Sequence, residues 1–266
     1  MVEKQTYDEL LKEYQDGNEK SRGATLIGFG MIDDPRAFNF ILECLNDPNF
    51  THFWQAAWAL SGLSEKGLVD QTALEPLLFL LGRPEWQSQS FAAAALGELI
   101  ERGILDERAV EPLKKMIYNG NPLVKDTALG VLTQLSMRGI RQTEIIEILI
   151  RALSEKVVWL RGKAASHLGV LATGGLAAKE ALIPLCQIIK SKENKEIQGE
   201  AIHAIACYAE VGFVDRMSIA LLKEKLHDKS KVEVWYCDRN EKIETTISEE
   251  AERALGKIQS YTSWEI

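Results

Sequence analysis

The stretch Ala92-Ala93-Ala94-Ala95-Leu96-Gly97-Glu98-Leu99-Ile100-Glu101-Arg102-Gly103-Ile104-Leu105-Asp106 holds the end of one repeat and the start of the next. Alanine and leucine at helical spacing run up to a glycine followed at once by an apolar residue. That is the pattern of a helix closed by a left-handed residue with a hydrophobic contact just beyond it. Asp106 then stands where the following helix needs an N-cap. The same punctuation recurs at Gly67, Gly103, Gly139, Gly175 and Gly212, at intervals of 36, 36, 36 and 37 residues, each followed by an apolar residue (Leu68, Ile104, Ile140, Leu176, Phe213). Two further registers keep the period: Ala56, Ala92, Ala128, Ala164 and Ala201, and then Phe40, Pro76, Pro112, Ile148, Pro184 and Leu221. One register for each of two amphipathic helices per unit predicts an α-solenoid.

Reading outward from this unit places first helices near residues 5–16, 35–46, 70–82, 106–118, 142–154, 177–191 and 214–227. Second helices fall near 19–31, 50–64, 86–101, 122–137, 157–172, 194–210 and 247–260. Asp70, Asp106 and Asp215 are the predicted N-caps. The first junction is short, with 32 residues from Ala24 to Ala56, and the last is long: Ala201 to Ala251 is 50 residues, an insertion of 50 − 36 = 14. That insertion alternates from Lys231 to Cys237, turns through Asp238, Arg239, Asn240 and Glu241, and alternates again from Lys242 to Thr246, which predicts a β-hairpin over 231–246 that either covers the open end of the solenoid or offers an exposed edge to a partner strand. Thr246 and Glu249 restart the helix as a capping box. The predicted fold is all-α: a right-handed solenoid of about seven helix pairs with a hairpin insertion in the last repeat, as one domain over 1–266.

Asp34-Pro35-Arg36-Ala37, Ala92-Ala93-Ala94-Ala95-Leu96-Gly97 and Ala164-Ala165-Ser166-His167-Leu168-Gly169 resemble the turn and second-helix patterns of HEAT repeats, particularly the HEAT-like repeats first named for phycobilisome lyases. The resemblance covers nearly the whole chain. It implies a concave surface formed by the second helices, and it says little about activity, because HEAT-like units serve adaptors, assembly factors, lyases, a hydroxylase and DNA glycosylases.

Composition narrows the classes. With 31 Lys and Arg against 39 Asp and Glu the net charge is −8, which argues against a nucleic-acid partner, since that requires a basic stripe. No run of eighteen apolar residues and no basic-then-apolar N-terminal segment occurs, so a soluble cytoplasmic monomer without a membrane partner is expected. Cys44, Cys186, Cys207 and Cys237 stand singly, without a C-x-x-C pair, as small hydrophobes of a reducing compartment. HEAT-like hydroxylases bind two irons through His-Glu dipeptides; here His52, His167, His203 and His227 precede Phe53, Leu168, Ala204 and Asp228. No metal or cofactor is therefore expected, and no hydrolase or phosphate-loop motif is present.

On a 100° wheel with Ala56, Ala92, Ala128, Ala164 and Ala201 as position zero, positions −4, 0, +3, +4 and +7 face the first helices. Leu60, Leu96, Leu132, Leu168 and Ile205 take +4, and Leu63, Leu99, Leu135, Leu171 and Tyr208 take +7. His52 and His167 fall on this inward arc. The opposite stripe, positions −5, −2, +2 and +5, reads Thr51, Trp54, Trp58, Ser61; Gln87, Ser90, Ala94, Gly97; Leu123, Asp126, Gly130, Thr133; Trp159, Gly162, Ser166, Gly169; and Glu196, Gly199, His203, Ala206. Glycine inside an exposed helix costs roughly 1 kcal/mol relative to alanine. Gly130, Gly162 and Gly199 therefore call either for close helix approach or for a groove in which a partner lies against backbone. Residues 121–163 are locally basic, with Lys125, Arg138, Arg141, Arg151, Lys156, Arg161 and Lys163. The expected function is a non-catalytic protein-interaction scaffold or assembly adaptor that binds a partner protein or peptide segment in this groove. Its anchors are Trp54, Trp58 and Trp159, its polar guides Lys125, Arg161 and Lys163, and His203 faces the same groove. The alternatives are a bilin lyase-like or chromophore-protein chaperone role and, behind it, a HEAT-like DNA glycosylase.

Overall fold

Each of the five punctuating glycines adopts a positive φ, from +74° at Gly67 to +109° at Gly139. The N–H of the apolar residue after each glycine reaches back to a carbonyl five residues earlier: Leu68 to Leu63, Ile104 to Leu99, Ile140 to Leu135, Leu176 to Leu171 and Phe213 to Tyr208, at 2.8–3.0 Å. This bond occupies a carbonyl that the helix end would otherwise leave open. A β-carbon on Gly103, Gly139, Gly175 or Gly212 would meet nothing within 4 Å, so backbone conformation rather than space demands glycine there.

The computed structural model describes residues 5–140, 143–191, 194–236 and 241–263. They form an all-α solenoid of helix pairs with one two-stranded sheet, and the chain divides into two compact units, Met1–Ile140 and Arg141–Ile266. The first unit pairs α1 (Tyr7–Asp16) with α2 (Glu19–Met31), α3 (Arg36–Asn46) with α4 (Phe53–Glu65), α5 (Leu74–Leu81) with α6 (Trp86–Glu101) and α7 (Val110–Asn119) with α8 (Pro122–Met137). The second unit pairs α9 (Thr143–Ala152) with α10 (Val158–Thr173) and α11 (Leu182–Lys190) with α12 (Lys195–Glu210). It closes with α13 (Arg216–Lys225), β1 (Lys231–Tyr236), β2 (Glu241–Thr246) and α14 (Ile247–Tyr261).

Short 3-10 turns precede α5, α7 and α11, and the prolines of the third register fall in the first turn of each helix, where the missing N–H leaves no bond unmade. Asp70, Asp106 and Asp215 cap as expected, accepting from the N–H of Thr72, Arg108 and Ser218. Asp34 and Asp106, 72 residues apart, each hold an arginine two residues on, Arg36 and Arg108. Each arginine also reaches into the preceding repeat, Arg36 to Asp8 and Arg108 to Glu75. Hydrogen bonding to these arginines holds both aspartates below the usual carboxylate range.

The inward arc forms the core in both units. The ten residues at +4 and +7 are all at most 2% exposed. In α2 Ala24 is exposed while Thr25 and Phe29 are buried, as is Ile32 just past the helix end, so the register starts at Thr25 and not at Ala24, which makes the first junction one residue shorter still. Cys44, Cys186 and Cys207 are free and buried, and burial raises the thiol pKa to about 11 at Cys44 and about 12 at Cys186. The hairpin pairs Lys231 with Thr246 through Tyr236 with Glu241, and the Thr246–Glu249 capping box starts α14. Its turn at 237–240, including Cys237, lies outside the described residues, as does Arg141. Among the described residues no helix is long and apolar enough to cross a membrane.

Candidate functional site

Successive second helices lie side by side within each unit, α2, α4, α6 and α8 in the first and α10, α12 and α14 in the second. This contact claims part of the outward stripe. At position +5, Ser61, Gly97, Thr133, Gly169 and Ala206 are all buried rather than open. A β-carbon on Gly169 would lie 3.4 Å from Ala204 Cα, and one on Gly62 only 2.7 Å from the Gly30 carbonyl oxygen. Small residues at the flank of the stripe therefore serve close packing of neighbouring helices, because a neighbour on each side covers more of the wheel than one facing layer does.

In the first unit Trp54 and Trp58 stand one turn apart on α4, both half-buried. Trp58 lies over α2: a β-carbon on Gly30 would come within 2.9 Å of its Cζ3. Its ring also lines a cavity of about 300 Å³ together with Gly30, Met31, Ser61, Gly62, Glu65, Lys66 and Phe91. Trp58 is thus at once a packing residue and a wall of an open site. Phe91 and Met31 were missed in the sequence, yet a signal existed: position −1 is Gln55, Phe91, Thr127, Lys163 and Glu200 in successive repeats, and only Phe91 is aromatic. Lys125 is half-buried on α8 at position −3, off the stripe, whereas Leu123 on the stripe is 57% exposed.

In the second unit Trp159 is 42% exposed in the first turn of α10, Lys163 follows one turn later and is exposed, and Arg161 is half-buried. His203 does not face an open groove. It is 4% exposed, because the hairpin lies on the α12 stripe and covers it. The Tyr236 ring sits 4.3 Å from the His203 ring, Cys207 Sγ is 3.7 Å from its Nε2, and Glu250 Oε2 is 3.8 Å from its Nδ1. Glu250 is itself buried, accepting from the Tyr236 hydroxyl and from Arg253.

The docking of β1 explains Gly199. A β-carbon there would lie 2.8 Å from Val234 Cγ2 and 3.1 Å from Val232 Cγ2, so the two inward valines of the strand rest on bare helix backbone. The other edge of β1 is closed as well. The main-chain N–H of Glu233 donates to Glu196 Oε2 at 2.9 Å, and that of Trp235 donates to Glu200 Oε1 at 3.0 Å. The expectation that this edge would accept a partner strand is corrected for β1: those amides already have carboxylate acceptors. The Ser166 hydroxyl of α10 donates to the second Glu200 oxygen at 2.5 Å, and burial pushes the Glu200 carboxyl up from its ordinary value. Among the described residues no group of three or more His, Cys, Asp or Glu is placed to hold a metal ion.

No protein-family model matches the chain, and no curated protein matches it in sequence. Solved structures do resemble it. An engineered protein from a structural genomics consortium superposes with a TM-score of 0.52 at 20% identity, over 96% of this chain and 98% of its own. Kap95p, from a study of how its binding induces the switch loops of RanGDP to adopt the GTP-bound conformation, superposes with a TM-score of 0.66 at 16% identity, over 96% of this chain and 37% of that one. Kap121p gives 0.56 at 14% identity, over 96% of this chain and 29% of its own. The chain therefore spans well under half the length of Kap95p and Kap121p. These likenesses show the fold, a HEAT-type helical solenoid.

Proposed function

We propose that this protein is a non-catalytic adaptor that captures an extended segment of a partner protein on the stripe of its second helices. One observation carries the reading: the chain's own strand β1 already lies on that stripe in the last repeat, with valines over Gly199 and main-chain amides on Glu196 and Glu200. Other repeats share the small residues of that surface and place a tryptophan beside them, at Trp58 and at Trp159, where the last repeat has carboxylates. Tryptophan is enriched among residues that dominate binding energy. Net charge −8 favours a protein over a polyanionic partner. Kap95p, a solenoid of the same fold, binds RanGDP, which is in keeping with a protein partner.

The test is photocrosslinking in the native host. A benzophenone amino acid at Trp159 or Trp54 is expected to crosslink one segment of one partner, and the same group at Glu111, an exposed first-helix position, is not. Equal yields from both faces would end the reading.

A further inference from the structure

The cavity of about 300 Å³ in the first unit has a chemistry of its own. Two aromatic rings, Trp58 and Phe91, and the exposed Met31 form its apolar walls, and Glu65 stands at its edge with no ion-pair partner among the described residues. The last turns of α2 and α4 end here. Carbonyl groups in the last turn of a helix carry the negative end of its dipole and lack intrahelical donors. Two of them, those of Gly30 and Gly62, accept from Lys66 Nζ at 2.7 and 3.0 Å. The site thus already holds one cation on main-chain oxygen and retains a carboxylate beyond it.

Elsewhere in this chain the same combination of ring and carboxylate is filled by arginine. The Arg36 guanidinium lies 4.3 Å from the Tyr7 ring and pairs with Asp34 at 2.8 Å. Arg83 lies 4.0 Å from the Phe53 ring and pairs with Glu85 at 3.3 Å. Arg253 lies 4.9 Å from the Tyr236 ring and pairs with Glu250. At Trp58, Phe91 and Glu65 the ring and the carboxylate are present, and no arginine lines the cavity. A planar guanidinium can stack on an aromatic face while it donates in plane to a carboxylate, which an ammonium cannot do.

We propose that this cavity receives an arginine side chain of the partner, stacked on Trp58 and Phe91 and paired with Glu65. The proposal rests on the groove-binding reading above and specifies the partner's chemistry: an arginine within the bound segment.

The test uses the full chain and two small probes, N-acetyl-arginine methylamide and its neutral isostere N-acetyl-citrulline methylamide, followed by the indole N–H resonance of Trp58, assigned with Trp58→Phe. The arginine probe is expected to shift that resonance saturably, and the citrulline probe to bind about threefold to tenfold more weakly, because it lacks the charge that pairs with the exposed Glu65. Glu65→Gln, an exposed substitution that leaves the fold intact, should weaken the arginine probe about threefold to tenfold. Lys66→Gln should leave it unchanged or tighten it by removing a like charge. Equal binding of both probes, no shift at Trp58, or weaker arginine binding in Lys66→Gln would each overturn the proposal. If the arginine probe fails while the crosslinking experiment still traps a partner, only this inference falls; if the probe binds and no partner is trapped, the adaptor reading falls instead.

Discussion

The Trp235 main-chain N–H and the Glu200 carboxylate are 3.0 Å apart, and the second oxygen of that carboxylate takes the Ser166 hydroxyl. One acidic side chain thus fastens the hairpin strand to α12 and α12 to α10. Glu200 accepts these bonds while half-buried between the two helices and the strand, and that burial raises its carboxyl pKa. Its position therefore matters more for the hairpin than any exposed charge on the strand itself.

Glu200→Ala removes the carboxylate acceptor of the Trp235 amide, a loss of about 1–3 kcal/mol for a buried donor. Native-state hydrogen exchange is expected to accelerate at Glu233 and Trp235 well before the helices open. Unchanged exchange at those two amides would mean that the hairpin is held by its valines alone.

Gly199 and Gly256 should respond to alanine with opposite signs. At Gly199 the new methyl meets Val234 Cγ2 at 2.8 Å, and valine is stiff about χ1, so the hairpin must move. The expected result is a net loss of about 1–2 kcal/mol after the gain in helix propensity. At Gly256, in α14, nothing lies within 4 Å and the propensity gain of up to about 1 kcal/mol stands alone. Urea midpoints of the two variants against the parent decide both signs.

The tryptophans should separate by role. Trp58→Ala removes a half-buried ring that packs on α2 at Gly30 and should cost about 2–3 kcal/mol, somewhat less than the roughly 3–5 kcal/mol for a fully buried aromatic. Trp159→Ala removes a ring that is 42% exposed and should change stability by about 0.5 kcal/mol or less. If thermal unfolding shows equal losses, Trp159 is a packing residue and its place among the anchors is lost.

Acid should act first through His167. Burial, with the Lys163 charge added to it, lowers its imidazole from 6.5 to about 4. The unfolded chain then binds this proton more tightly than the folded one. The contribution of the neutral ring is complete above about pH 6.5 and is lost as the pH falls toward about 4. The side chain is only half-buried by solvent exposure, so the expected loss is about 1–2 kcal/mol. Urea midpoints at pH 7.5 and 4.5 should differ less in His167→Gln than in the parent; an equal difference would show that other groups carry the pH dependence.

The elements themselves were legible in the chain because the forces that set them are local. The five glycines, the aspartate caps and the Thr246–Glu249 box each act through hydrogen bonds spanning five residues or fewer, and the inward leucines follow from the pitch of one helix. The hairpin was equally legible from its alternation. Its docking was not: nothing within residues 231–246 says that Val232 and Val234 will rest on Gly199, or that Glu196 and Glu200 will take the strand amides. Burial of His203 and of the +5 flank, and the meeting of Met31, Trp58 and Phe91 around one cavity, belong to the same class. They depend on which helix lies beside which, about one repeat away in sequence. A wheel drawn for a single helix records the direction of a side chain, and only the packed neighbours decide whether that direction ends in solvent, in another helix or beneath a strand of the same chain.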